Sequence, residues 1–118
     1  MLRFMGHAVL AAALLLAPAS ASATESFVDG LEDVPLMVGL DPLPDRSVVF
    51  DKPNGRIVES YAAGAVRRAE VVRFYDTTMP QLGWTGRSPA YRREGEVLRI
   101  GFEGRDGDLV VRFSLSPR

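Results

Sequence analysis

Two glutamates, Glu94 and Glu96, stand on either side of Gly95. Neighbouring carboxylates that share a site split their pKa values, which lets one residue type serve as both acid and base. Their setting argues against that use. Gly95 marks a hairpin tip where both acids are solvated, and Arg92 and Arg93 offer ordinary exposed ion pairs. Asp106 and Asp108 around Gly107 contain part of a calcium loop, but the later glutamate and the run of oxygen ligands are missing. Turn formation accounts for them. Ser60, Thr77, Thr78 and Ser88 are hydroxyls without an activator, because the 118 residues include no cysteine, one lysine (Lys52) and one histidine, His7. If the start of the chain is removed, no imidazole remains for a triad, a zinc site or a general base near neutral pH. The sequence predicts no catalytic residue, no metal ligand and no cofactor.

Arginine is the remaining chemistry. Arg67 and Arg68 fall where a helix should begin, a position at which the macrodipole favours anions over cations. Solvation and an Arg67 to Glu70 pair explain them in the ordinary way. The alternative is that they hold an anion over the helix start, either a carboxylate of this chain or a group on a partner. Arg92, Arg93, Arg99 and Arg112 extend such a patch across the exposed face of a sheet. Charge is also divided along the chain: residues 24–51 carry seven acids against Arg46, whereas residues 52–118 carry twelve bases against eight acids. The two parts attract, and a basic face is open to an acidic partner. From residue 24 onward thirteen bases face fifteen acids, a balance that does not fit nucleic-acid binding.

These residues need a scaffold. Apolar content of 47% with 25% charged residues is ordinary for a globular protein. Residues 1–23 read as a signal peptide: Arg3 before an apolar run from Ala8 to Ala17, then the small-x-small site Ala21-Ser22-Ala23, with cleavage after Ala23. The run ends at Pro18, too short to span a bilayer, so the mature chain is expected to be periplasmic or secreted without a transmembrane segment. A cysteine-free exported chain suits a bacterial periplasm or the medium.

Residues 24–46 form an acidic, proline-rich, extended lead-in, punctuated by Pro35, Gly39, Pro42 and Pro44. It is too apolar for a solvated linker, with Leu36, Met37, Leu40 and Leu43 among its breakers. This strip either packs across its own domain or docks on another protein.

Residues 47–118 read as a single α+β domain of order ββαβββ, an antiparallel sheet with one amphipathic helix on one face. Val48 to Phe50 and Ile57 to Tyr61 flank Lys52-Pro53-Asn54-Gly55 as a hairpin. A helix runs from about Ala65, with Ala65, Ala69, Val72, Tyr75, Met79 and Leu82 on one face and Val66, Val71 and Phe74 widening it. Pro80 predicts a break near Thr78 and one last turn, and Gly83 with Trp84 predicts a left-handed ending in contact with Met79. Strands follow at Ala90 to Arg93, Glu96 to Phe102 and Leu109 to Leu115. Pairing Glu103 with Asp108 sets Phe102 opposite Leu109, Ile100 opposite Val111 and Leu98 opposite Phe113. The edge of Ser47 to Phe50, or that of Leu109 to Leu115, is a candidate for pairing across a dimer, and the oligomeric state stays open.

Gly55-Arg56-Ile57-Val58-Glu59-Ser60, then Phe74-Tyr75 leading through Leu82 to Gly83-Trp84, then Arg92-Arg93-Glu94-Gly95-Glu96 with Leu98 and Ile100, resembles a family of small uncharacterised exported bacterial proteins. The resemblance covers about Pro35 to Pro117. It implies export and a small α+β fold, and no activity.

The class these observations imply is a non-catalytic exported module that binds a protein partner or an envelope component. Its candidate contact residues are Leu36, Met37, Leu40, Leu43, Arg67, Arg68, Arg99 and Arg112. A different class, a small-ligand carrier, would need an aromatic pocket between helix and sheet lined by Tyr75, Trp84 and Tyr91.

Overall fold

The computed structural model describes residues 26–118 and, before them, only Gly6 and Ala12. The expected signal peptide, its cleavage point after Ala23 and His7 thus lie outside the described residues. No described helix is long and apolar enough to cross a membrane.

The fold is α+β and mostly antiparallel sheet. Strand β1 (Phe27–Val28) and β2 (Leu31–Pro35) pair as a small hairpin, and β3 (Asp41–Pro42) and a 3-10 turn (Pro44–Arg46) lead to β4 (Val48–Lys52). Then come β5 (Gly55–Gly64), α1 (Arg68–Thr78), a 3-10 turn (Met79–Leu82), β6 (Thr85–Arg87), β7 (Ala90–Arg93), β8 (Glu96–Arg105) and β9 (Asp108–Pro117). The main sheet runs β3-β5-β9-β8-β7-β6, with β4 beside β3 on the same flank of β5. Within residues 47–118 the expected order ββαβββ is one strand short, and β3 of the lead-in adds a further strand to the sheet. Thr85–Arg87 forms β6 against β7, a strand without apolar alternation to announce it.

Residues alternate across β8 and β9 as their sequences require. Leu98 and Ile100 are buried with Leu109, Val111, Phe113 and Leu115, while Arg99 and Arg112 point to the other face. The expected register is displaced by two residues. Arg105 pairs with Asp108 around a two-residue Asp106–Gly107 turn, so Phe102 meets Val111, Ile100 meets Phe113 and Leu98 meets Leu115. An even displacement leaves every side chain on its expected face.

Helix α1 begins at Arg68, three residues later than expected. Arg67 is extended (φ −102°, ψ 142°), and the first turn is closed from outside: the Arg68 amide donates to Asp106 Oδ1 at 2.9 Å, and the Gly107 amide donates to the Val66 carbonyl at 2.9 Å. The buried face is centred on Val71, Tyr75 and Met79; Ala69 is exposed and Val72 half-buried, so the apolar stripe is rotated from the expected one. The helix ends at Thr78, and Pro80 lies at the start of the 3-10 turn that follows. Gly83 then takes the left-handed conformation (φ 87°) and the Trp84 amide donates to the Met79 carbonyl at 3.1 Å, the ending expected from the sequence.

The lead-in belongs to the core. Val28, Leu31, Val34, Leu36, Met37 and Leu40 join the cluster built from α1 and the inner sheet face. Tyr75 anchors it: its hydroxyl donates to the Pro35 carbonyl at 2.9 Å and accepts the Met37 amide at 3.2 Å, while its ring stands edge-on to Phe113. At the far end Gly64 lies against the Gly39 carbonyl so closely that a Cβ there would overlap it.

Candidate functional site

The helix and the lead-in cover one face of the sheet, and among the described residues nothing covers the other. Cross-strand pairing fixes what stands on it. One row runs Arg87, Ala90, Arg99, Ser114, Glu59 and Val48 from β6 to β4. A second row sets Thr85, Arg92, Val97 and Ser116 side by side, and a third sets Gly101, Arg112 and Tyr61.

The two halves of this face differ in electrostatics. Toward β5 several charges are paired. Glu59 accepts the Tyr61 hydroxyl at 3.0 Å and lies 3.9 Å from Arg112, whose guanidinium rests across Gly101, 3.2 Å from where a Cβ would stand. Arg46 stacks over the Tyr61 ring at 4.1 Å and pairs with Glu103 at 3.3 Å. Toward β6 they are not. Arg87, Arg92 and Arg99 surround the small side chain of Ala90, all three are exposed, and none has a carboxylate within 4.0 Å among the described residues. Arg87 and Arg99 sit two strand spacings apart, about 10 Å, with Arg92 diagonal to both. Three planar donors at that spacing can bind an anion in bidentate fashion or lie flat on an anionic surface.

A cleft of about 420 Å³ opens beside this group, lined by Leu82, Gly83, Thr85, Arg92, Arg93, Glu94 and Arg118. Arg93 does not join the open face. It lies on the core side of β7, stacked over Trp84 at 4.3 Å, donating to the Leu82 carbonyl at 3.1 Å and paired with Asp33 at 2.7 Å. This pair is where the acidic lead-in meets the basic part of the chain.

The structure separates the other candidate contact residues. Leu36, Met37 and Leu40 are core residues, and Leu43 is half-buried, its amide bonded to the Tyr61 carbonyl at 2.8 Å. As a docking strip they are corrected: the prolines turn their chain onto the domain, and only Val38, 94% exposed, is left outside. Arg67 and Arg68 are exposed at the helix start, across the sheet from Arg99 and Arg112, so the four do not form one patch. The anion at the helix start is Asp106, bound by the Arg68 amide, while the Arg68 guanidinium stacks over Phe102 at 4.8 Å. Arg87 was hidden from the sequence because β6 was.

Tyr75 and Tyr91 are fully buried and Trp84 is 3% exposed, packed as core rather than lining an opening. Burial raises the phenol pKa of both tyrosines; the Met37 amide opposes the rise at Tyr75, and the Asp76 carboxylate, which accepts the Tyr91 hydroxyl at 2.6 Å, adds to it at Tyr91. Both stay neutral through the physiological range. Glu94 is exposed in the β7–β8 turn, and Glu96 pairs with Arg56 at 3.5 Å. Among the described residues, no three acidic or histidine side chains are grouped so as to hold a metal ion.

Comparison with protein-family models, with curated proteins and with solved structures finds no match for the chain.

Proposed function

We propose that this protein is a non-catalytic exported module that binds an anionic component of the cell envelope through the open face of its sheet. One observation carries the reading: Arg87, Arg92 and Arg99 surround Ala90 without acidic partners among the described residues, while on the same face Arg112 pairs with Glu59 and Arg46 with Glu103. Three uncompensated guanidiniums on one sheet face repel one another, and a phosphate-rich surface relieves that repulsion. The signal-peptide pattern of residues 1–23 supports export.

The test is sedimentation with vesicles of anionic phospholipid and of zwitterionic phospholipid at rising salt. Binding to the anionic vesicles alone, weakening as the Debye length shrinks, is expected. Arg92→Gln and Arg99→Gln should each weaken it several-fold, and Arg112→Gln, whose charge is already shared with Glu59, should weaken it less. Equal recovery on both vesicle types, or no effect of the Arg92 and Arg99 substitutions, would remove the arginine face from the reading. Capture of an acidic protein by that face in place of vesicles would move the partner from lipid to protein.

A further inference from the structure

Among the described residues the sheet has three edges, and two are protected. β6 is three residues long, contains Gly86, and ends at Ser88–Pro89. β3 is two residues long, and its Pro42 and the following Pro44 offer no amide. The third edge, β4, has neither proline nor bulge. Its Val48, Val49 and Phe50 are 41%, 54% and 60% exposed. Sheet proteins rarely leave such an edge bare.

The direction of its hydrogen bonds follows from the hairpin. Lys52 and Gly55 flank a two-residue turn, so their pair is hydrogen-bonded, and alternation makes Phe50 with Ile57 and Val48 with Glu59 hydrogen-bonded as well. The Leu43 amide bound to the Tyr61 carbonyl, from the same flank of β5, agrees with this phase. The N–H and C=O groups of Val49 and Asp51 therefore point outward.

We infer that β4 pairs antiparallel with β4 of a second copy of this chain, about a two-fold axis through Phe50. In that register Val49 of each copy bonds to Asp51 of the other through both backbone groups, making four hydrogen bonds. Phe50 faces Phe50 in the close, non-hydrogen-bonded position, which joins Ile57, Phe50, Phe50 and Ile57 in one apolar row across the axis. Lys52 falls opposite Val48, two strand spacings (about 10 Å) from Glu59 of the other copy, so no like charges face each other across the contact. The neighbouring registers fail. Shifting one way sets Asp51 against Asp51, and shifting the other way calls on the Ser47 amide, which is already bonded to the Pro44 carbonyl at 3.1 Å. A five-residue edge buries less than the roughly 800 Å² per partner of a standard interface, so the dimer is weak and depends on concentration. Because the axis is perpendicular to the sheet, the open faces of both copies, each with its three arginines, point the same way.

The chain has no cysteine, which makes the register testable. Mild oxidation of Phe50→Cys should yield a disulfide-linked dimer, while Val48→Cys, which faces Lys52, should yield several-fold less. Light scattering of the purified wild-type protein across concentration should show mass rising from monomer to dimer. Val49→Pro removes an outward amide and leaves the β4–β5 ladder intact; it should fold, by circular dichroism, and need at least tenfold higher concentration to dimerise. A monomeric mass up to millimolar concentration would overturn the inference. So would a dimer in which Phe50→Cys crosslinks no better than Val48→Cys, whatever becomes of Val49→Pro.

Discussion

The carboxylate of Asp106 accepts the backbone amide of Arg68 at 2.9 Å, so the turn between the last two strands closes the first turn of the helix. Helix α1 has no side-chain cap of its own, because its N-cap residue is Arg67. A residue 38 positions away in sequence supplies what a local Ser or Asp normally provides.

The consequence is measurable in stability. Asp106→Ala should lower the unfolding free energy by about 1 kcal/mol, the usual cost of losing an N-cap acceptor. Asp106→Asn, which keeps an oxygen acceptor, should recover most of it. Urea denaturation of the two variants beside the wild type checks this. Equal stability of Asp106→Ala and wild type would mean that the contact contributes nothing.

Tyr75 ties the lead-in to the helix through one hydroxyl. Tyr75→Phe leaves the ring in place against Phe113 and strips the Pro35 carbonyl and the Met37 amide of their partner. Leaving buried polar groups unpaired costs about 1–3 kcal/mol, so the loss should fall in that range. Amide hydrogen exchange should accelerate at Met37 first. Unchanged exchange there, with normal stability, would show that the strip is held by apolar packing alone.

What the sequence disclosed about these elements follows from which forces are local. The break at Thr78 and the left-handed Gly83 are dictated by Pro80 and by the glycine, and both were readable. Faces of β8 and β9 were readable because alternation is a property of each strand. Register was not, since pairing Arg105 rather than Glu103 with Asp108 depends on how tightly Asp106–Gly107 turns. The fate of Leu36, Met37 and Leu40 was undecidable for another reason: apolar residues among prolines look alike whether they cover their own core or a partner's. Of the arginine group, Arg92 and Arg99 were visible as exposed sheet residues. Arg87 required β6, whose Thr-Gly-Arg sequence has no strand pattern, and Arg93 was misplaced because the alternation that puts Arg92 outward puts its neighbour inward.

Gly64 tests how closely the lead-in is fitted. Its φ is ordinary, so a side chain meets no backbone strain, but a Cβ would overlap the Gly39 carbonyl. Gly64→Ala must therefore push the 36–40 segment away from β5. Overpacking of this kind typically costs about 1–3 kcal/mol, and a rigid backbone obstacle places it at the upper end. Chemical denaturation gives the number. A variant as stable as wild type would mean that the segment shifts without loss.

The buried tyrosines set the alkaline limit of the fold. Desolvation lifts the folded-state pKa of Tyr75 and Tyr91 above the ordinary value of 10.0, and at Tyr91 the Asp76 carboxylate raises it further. In the unfolded chain both phenols ionise near that ordinary value, so protons are held more tightly by the folded state. By linkage, their contribution to stability is complete below pH 10 and is lost as the pH climbs from there toward the raised folded values. Thermal melts should be flat in this respect through neutral pH and fall steeply above pH 10. Tyr91→Phe, which removes one of the two ionisations, should make that fall shallower. Tyrosinate absorbance should show Tyr75 and Tyr91 ionising only as the protein unfolds. Titration of Tyr75 or Tyr91 near the ordinary value while the protein is still folded would contradict the burial from which this limit is drawn.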